Sequence, residues 1–311
     1  MSPESVAVVV VTYNRADLLA GMLAGLAGLD RAPDEVLVID NASTDHTPEV
    51  LRGCDLPGLR VVRSEENLGG AGGFHLGLRL AHEAGHDRVW LMDDDVVPAP
   101  DCLDVLLAAG EGSTDALMAV REDRSGALVE KAALRFDLRN PLAIKPKTAM
   151  VETTYGTRAA MPERVALENV AFEGFLVHRA TVDAIGLPDP SFFIFYDDCD
   201  YAIRARRAGF GIWGVRDARL VRQLDFDQQH DLAGWKGFYM FRNLFVVHQR
   251  YGENLAVRLK PWLITLVVLL LSPVQGGRGQ ARNVVRALRS SRGMRHVPDS
   301  ARRAGPTASL Q

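Results

Sequence analysis

Four short apolar runs in the first hundred residues constrain this chain most, because each stops abruptly at a polar cluster. Residues 6–11 are a continuous Val/Ala run, as expected of a strand buried on both faces, and Thr12-Tyr13-Asn14-Arg15 ends it. Residues 35–39 form a second run, stopped by the polar stretch 40–45, and residues 59–62 a third, shorter one. The fourth, residues 89–92, runs into Asp93-Asp94-Asp95. Helical patterns lie between them. Leu18, Leu19, Met22, Leu23, Leu26 and Leu29 share one face, with Asn14 in N-cap position. Residues 47–52 make a short helix, and the glycine-rich stretch 67–74 opens another that reaches about Ala84. Such alternation predicts an α/β fold with a parallel sheet and right-handed crossovers. All four polar clusters then fall at the carboxyl edge of the sheet, where ligands bind in folds of this kind.

Three adjacent carboxylates are costly unless something positive sits among them. At a strand end, Asp93, Asp94 and Asp95 suit a hard divalent cation accompanied by substrate phosphates; the alternative is a solvated acidic turn. The glycine stretch lacks the Lys-Ser or Lys-Thr of a P-loop, and His75 occupies the place of the third glycine in the dinucleotide fingerprint. Its glycines either permit close helix–sheet packing or let backbone N–H groups approach a ligand.

Past residue 110 the pattern changes. Residues 117–121 and 127–135 read as strands around an Asp123-Arg124-Ser125-Gly126 turn, residues 172–177 as another strand and 180–185 as a short helix. Residues 140–166 are polar and carry no clear pattern. An aromatic run, residues 192–196, then delivers Asp197, Asp198 and Asp200 to the start of a helix, whose dipole favours negative charge. Capping by Asp197 or Asp198 and an i, i+4 pair between Asp200 and Arg204 would account for part of this. Mutual repulsion and burial raise carboxylate pKa values, which suits a general base.

Residues 235–251 read as a helix with aromatic anchors, on which Arg242 and Asn243 either face a ligand or pack. Residues 261–271 are strongly apolar but shorter than the roughly 20 residues a membrane span needs. A buried helix, a contact in a homo-oligomer and an interfacial helix are all compatible with them. Arg278, Arg282, Arg286 and Arg289 follow at helical spacing, a pairing of apolar and basic segments that favours an anionic membrane surface or else a solvated helix. The net charge of −3 on 311 residues gives no global basic field for nucleic acid. Cys54, Cys102 and Cys199 are too scattered for a disulfide framework or a metal site, and no signal peptide is evident at the start. A cytoplasmic protein, peripheral on the inner face of the membrane, is expected.

Five motifs in this order resemble an inverting glycosyltransferase of family 2 with the GT-A fold, over residues 6–247. They are Val-Val-Thr-Tyr-Asn-Arg (10–15), Val-Ile-Asp-Asn-Ala-Ser-Thr-Asp (38–45), Asn-Leu-Gly-Gly-Ala-Gly-Gly-Phe (67–74), Trp-Leu-Met-Asp-Asp-Asp (90–95) and Tyr-Asp-Asp-Cys-Asp-Tyr (196–201). The glycine element, the second acidic element and Phe241-Arg242-Asn243 look most like bacterial galactofuranosyltransferases, with rhamnosyltransferases close by. The resemblance implies a nucleotide-diphospho-sugar donor, UDP-linked ahead of dTDP-linked, and a lipid-linked or oligosaccharide acceptor. Thr12, Arg15, Asp40, Asn67, Gly70 and Asp94 fall on its donor side, and Asp93 and Asp95 hold Mn²⁺ or Mg²⁺. Asp198 matches the catalytic base, Asp197 shapes its field, and Glu173 and Asp200 fall on the acceptor side.

One departure is visible: related galactofuranosyltransferases carry a histidine metal ligand where residues 219–226 here have none. Arg222 as a counter-charge, Gln223 as a ligand and His230 reaching in from further along are the candidates to replace it. Residues 1–110 then form the nucleotide-sugar half, 111–230 the acceptor and base half, and 231–311 a C-terminal helical segment. Two alternatives remain: transfer to a polyprenyl phosphate, and a non-catalytic nucleotide- or glycan-binding subunit.

Overall fold

The computed structural model describes residues 4–143, 145–224, 232–272, 274 and 277–302. The first half alternates as the sequence predicts: β1 (Val6–Thr12), α1 (Ala16–Ala27), β2 (Glu35–Asp40), α2 (Thr47–Arg52), β3 (Leu59–Arg63), α3 (Gly69–Ala84) and β4 (Arg88–Asp93). There follow β5 (Val96–Pro98), α4 (Cys102–Ala109), β6 (Ala116–Glu122), β7 (Ala133–Phe136), β8 (Lys147–Met150), α5 (Val151–Tyr155) and β9 (Arg164–Ala166). Next come β10 (Phe175–His178), α6 (Arg179–Ile185), α7 (Asp197–Arg207) and β11 (Ile212–Arg222). Four helices close the described chain: α8 (Trp235–Tyr251), α9 (Leu255–Leu271), α10 (Gly277–Ser291) and α11 (Asp299–Arg302).

The main sheet has the order β3-β2-β1-β4-β10-β6-β11-β5, with β9 added to β11. Strands β3, β2, β1 and β4 are parallel, as are β6 and β11, whereas β10 runs antiparallel to both of its neighbours. The sheet is therefore mixed and mostly parallel, and it is continuous from β3 to β5. It has the GT-A-like α/β layout, with helices on both faces and a helical C-terminal region.

Strand β1 shows why its run is apolar on both faces. Val9 and Val11 pack with Phe74, Leu78 and Ala81 of α3, while Val8 and Val10 pack with Leu19, Met22, Leu23 and Leu26 of α1. A Cβ on Gly73 or Gly77 would lie 2.5 Å or 2.3 Å from the Val11 and Val9 side chains. These two glycines serve close helix–sheet packing, the plainer of the two sequence readings.

Three local expectations need correction. Asn14 does not cap α1: it adopts the left-handed region (φ 52°), and its Oδ1 accepts from Thr44 N at 2.7 Å and Asp45 N at 3.3 Å. The first-turn N–H of Ala16 donates instead to Asp45 Oδ2 at 3.2 Å, so the cap comes from the next loop. The strand expected over 127–135 is broken. Leu128 makes only an isolated bridge to Glu122, and β7 pairs with β8 in a separate ribbon. The patternless stretch 140–166 contains β8, α5 and β9, each too short to show a period.

In the C-terminal region α8, α9 and α10 pack on one another, with Phe241, Phe245, Val284, Ala287 and Leu288 at the centre. Among the described residues no helix is long and apolar enough to cross a membrane.

Candidate active site

Parallel pairing of β1 with β4 sets Asp93 beside Val11, so the first acidic cluster emerges next to the end of β1. Its three members differ in role. Asp94 is buried and accepts from Thr12 Oγ1 at 2.8 Å and from Arg15 Nη1 at 3.0 Å. It anchors two residues expected to touch the donor, and its own carboxylate is fully engaged. Asp93 has no ion pair among the described residues, and burial, followed by repulsion from Glu173 and Asp95, pushes its pKa well up. Asp95 is pushed up to about 6 by burial and then by Glu173, against the pull of Arg222 and Arg15. Arg15 Nη1 and Arg222 Nη2 stand 3.4 Å and 3.8 Å from its Oδ2, while its buried Oδ1 has no hydrogen-bond partner.

Glu173 lies between basic groups, paired with Arg121 and 3.6 Å from Arg222 Nη1. Burial would raise its pKa, but Arg121 and Arg222 overcome this and hold it below the usual range. Its charge acts on Asp93 and Asp95 and also on Asp198, so the two acidic clusters belong to one electrostatic site.

At the start of α7, Asp197 is buried and Asp198 half-buried, and neither has an ion pair among the described residues. Burial and then Asp198 raise the Asp197 pKa far above the ordinary value. Burial also raises Asp198; Lys147 of β8 opposes this, as does the Cys199 N–H, which donates to Asp198 Oδ1 at 2.6 Å. Asp200 is different. Fully enclosed, it accepts from Arg204 Nε at 2.9 Å, Arg250 Nη1 at 2.8 Å and Tyr251 Oη at 2.6 Å. Asp200, expected on the acceptor side, is taken up by these three partners, and the i, i+4 pair with Arg204 is present.

The segment before α7 is strained. Phe193, Phe195 and Tyr196 all have φ between 64° and 67°. Left-handed backbone at bulky residues costs about 1–3 kcal/mol each and persists only when neighbours over-determine it. Here the neighbours are α8 and α3. Asn243 Nδ2 donates to the carbonyls of Phe192, Ile194 and Phe195, and Arg242 Nη2 to those of Ser191 and Phe192. The Phe193 carbonyl accepts from Ala71 N at 3.1 Å.

That contact explains the glycine element better than the sequence could. Gly69 has φ 70°, and a Cβ there would stand 2.1 Å from the Phe193 carbonyl oxygen. Gly70, the expected donor contact, has open space around it. Asn67 Oδ1 accepts from Gly69 N at 2.8 Å and fixes the turn. Asp40, expected against the donor base or ribose, is buried with both oxygens engaged by Ser43 N (2.8 Å) and by Arg63.

Gln223 does not turn its amide nitrogen to the carboxylates. Its Nε2 donates to Leu18 O at 2.9 Å and Asp94 O at 3.3 Å, and its Oε1 lies against Gly21 of α1. Arg222 does reach Asp95 and Glu173, while His230 lies outside the described residues. Sequence reasoning missed Gly69, Arg63, Arg121 and Lys147. Only Gly69 carried a usable signal, being one of four glycines at a helix start.

The donor set at Asp93 and Asp95 is carboxylate oxygen, the chemistry that hard divalent cations take, and Asp95 Oδ1 is buried without a partner. The two fit such an ion in kind, although no group of three His, Cys, Asp or Glu among the described residues is arranged to hold one.

A mostly parallel α/β sheet with acids at its carboxyl edge, joined to a second acidic cluster through Glu173, defines a class. The chain belongs to glycosyl transferase family 2, whose model matches residues 7–166. It is a family-2 glycosyltransferase of the GT-A fold. Galactofuranosyltransferase GlfT1 of Mycolicibacterium smegmatis is 35% identical over 254 residues, covering 77% of this chain and 82% of that protein. The mannosyltransferase PcManGT of Pyrobaculum calidifontis, solved with GDP-Man and Mn²⁺, superposes with a TM-score of 0.54 at 21% identity, covering 94% of this chain and 76% of that one. Residues 1–349 of S. aureus TarS, solved with UDP-GlcNAc, give 0.55 at 16% identity, covering 94% and 82%.

Proposed function

We propose that this glycosyltransferase is inverting and metal-dependent, and moves galactofuranose from a UDP-linked donor to a hydroxyl of a lipid-linked or saccharide acceptor in cell-surface glycan synthesis. One observation carries the reaction type. Two sets of acids feel one Glu173: Asp93 with the unpartnered Asp95 Oδ1, and Asp197 with Asp198, of which Asp93, Asp197 and Asp198 have no ion pair among the described residues. The GlfT1 likeness supports galactofuranose; rhamnose from a dTDP-linked donor is the second choice.

In this reading Asp198, its proton affinity raised by burial, takes the proton of the acceptor hydroxyl, and that oxygen attacks the anomeric carbon as the diphosphate leaves. Asp93 and Asp95 would hold Mn²⁺ or Mg²⁺, which supplies charge neutralisation at the diphosphate. Arg15 and Arg222 add positive charge on the same side. Thr12, Asn67 and the Gly70 backbone line the nucleotide end, Asp40 acts there through the Arg63 and Ser43 contacts, and Glu173 borders the acceptor. Residues 1–110 then serve the donor, 111–230 the base and acceptor, and the C-terminal helices the surrounding surface.

That surface is suited to contact an anionic bilayer. The outer face of α9 leaves Leu259, Trp262, Leu263, Leu266 and Leu270 between 48% and 69% exposed, and Arg292 stacks 4.6 Å from the Trp262 ring. An apolar stripe flanked by Arg292 suits anionic lipid, and would bring the site to a lipid-linked acceptor.

The test is Asp198→Asn in a transfer assay. Loss of transfer with donor binding kept supports a hydroxyl acceptor. Retained transfer would favour an already ionised polyprenyl phosphate acceptor, and donor binding by wild type without transfer or hydrolysis would favour a binding subunit.

A further inference from the structure

The elements that carry the proposed base do not hold their own shape. The turn at residues 190–192 ends in Phe193, and the backbone stays left-handed at Phe193, Phe195 and Tyr196 before α7 begins at Asp197. No glycine relieves this path. Its carbonyls accept instead from two adjacent side chains of α8, a helix some fifty residues later. The fully buried Asn243 amide donates to Phe192 O at 3.0 Å, Ile194 O at 2.7 Å and Phe195 O at 2.9 Å. The Arg242 guanidinium donates to Ser191 O at 2.7 Å and Phe192 O at 2.8 Å, and its Nε to Asn243 Oδ1 at 2.8 Å. Arg242 is buried, has no carboxylate partner among the described residues, and lies over the Phe238 and Tyr239 rings at 5.5 Å and 4.8 Å. A buried cation is costly, and here its hydrogen bonds go to two loop carbonyls and to Asn243 Oδ1 rather than to a carboxylate.

We propose that Arg242 and Asn243 are positioning residues for the transfer reaction: they clamp the strained 191–196 loop and so set where Asp198 stands relative to the acceptor hydroxyl. The proposal rests on the reading of Asp198 as the base. The clamp acts through geometry. An amide that bonds three carbonyls within four residues of one loop cannot be replaced by packing, and a hydrocarbon of similar volume removes all three of those hydrogen bonds. Relaxation of Phe193, Phe195 and Tyr196 toward ordinary backbone would rotate the first turn of α7 and move Asp198 by an ångström or more. A displacement on the order of 1 Å at a reacting group can cost about 100-fold in rate.

The experiment compares full-length wild type, Asn243→Ala, Arg242→Lys and Asp198→Asn for kcat and KM of transfer, for calorimetric UDP affinity with Mn²⁺, and for thermal unfolding. Asn243→Ala is expected to lower kcat about 100-fold with UDP affinity within about twofold of wild type. Arg242→Lys keeps the charge but loses the fork to two carbonyls, and is expected to lose about 10-fold. A kcat that survives in the folded fraction while the unfolding temperature falls would make the pair purely structural and overturn the proposal. So would a loss of UDP affinity in step with kcat, because the clamp would then serve the glycine element through Phe193. Should Asn243→Ala not fold, Arg242→Lys carries the same decision. If Asp198→Asn keeps full transfer, the base reading itself fails; if Asp198→Asn is inactive and the clamp variants are not, only the clamp fails.

Discussion

The two acidic clusters of this site have nearly the same composition and divide their labour in the same way. In the first, Asp94 is bound by Thr12 and Arg15 and becomes an anchor, while Asp93 has no ion pair among the described residues and Asp95 Oδ1 is buried without a hydrogen-bond partner. In the second, Asp200 is bound by Arg204, Arg250 and Tyr251, while Asp197 and Asp198 have no ion pair among the described residues. Each cluster thus spends one carboxylate on holding the local chain and leaves two less fully engaged. A run of acids therefore marks a site without saying which of its members work.

The largest expected effect tests the working member of the second cluster. Asp198→Asn should lower transfer about 10²–10⁴-fold, the range for a positioned general base, with the fold intact by circular dichroism. The anchors should behave oppositely. Arg250→Ala leaves Asp189 and Asp200 buried without their shared cation, so unfolding in denaturant should show a loss of about 3–5 kcal/mol. Little change in stability there would break the distinction between anchor and working acid.

A third test uses pH. The folded pKa of Asp95 is pushed up to about 6, above its unfolded value, so the folded state binds this proton more tightly. Between about pH 4 and 6 the unfolded chain gives up its proton first, and the contribution to stability is lost as pH rises. In chelated buffer, Asp95→Asn should therefore flatten the fall in stability across that window. An unchanged slope would mean that Asp95 is not strained by its surroundings. The smallest effect on fold is expected on the outer face of α9. Leu263→Glu with Leu266→Glu should change stability by about 0.5 kcal/mol or less, as is usual for surface positions, yet abolish cosedimentation with phosphatidylglycerol vesicles. A solution dimer broken by the same pair would instead assign that face to a second copy.

Much of this was legible from sequence where one period repeats. Strands β1, β2 and β4 and helices α1 and α3 carry unbroken patterns, and α8 begins and ends at the residues its pattern predicts. Residues 127–166 were not legible, because β7, β8, α5 and β9 are three to five residues each and owe their form to tertiary pairing. The same limit applies within the site. That Asp40 is engaged by Arg63, that Asp45 rather than Asn14 caps α1, and that Gly69 rather than Gly70 is sterically required all depend on loops meeting across the sheet edge. Sequence placed the acids at the right edge and could not rank them, since the ranking is made by Arg15, Arg121, Arg222 and Arg250, each far away in the chain from at least one acid it serves.

The most direct test of the donor site is calorimetric titration of UDP, dTDP and GDP, each with and without Mn²⁺, into wild type and Asp95→Ala. The account predicts binding of UDP that requires Mn²⁺ and disappears in Asp95→Ala. Preference for dTDP would move the sugar to rhamnose. Binding of none of the three by well-folded wild type would contradict the donor site itself.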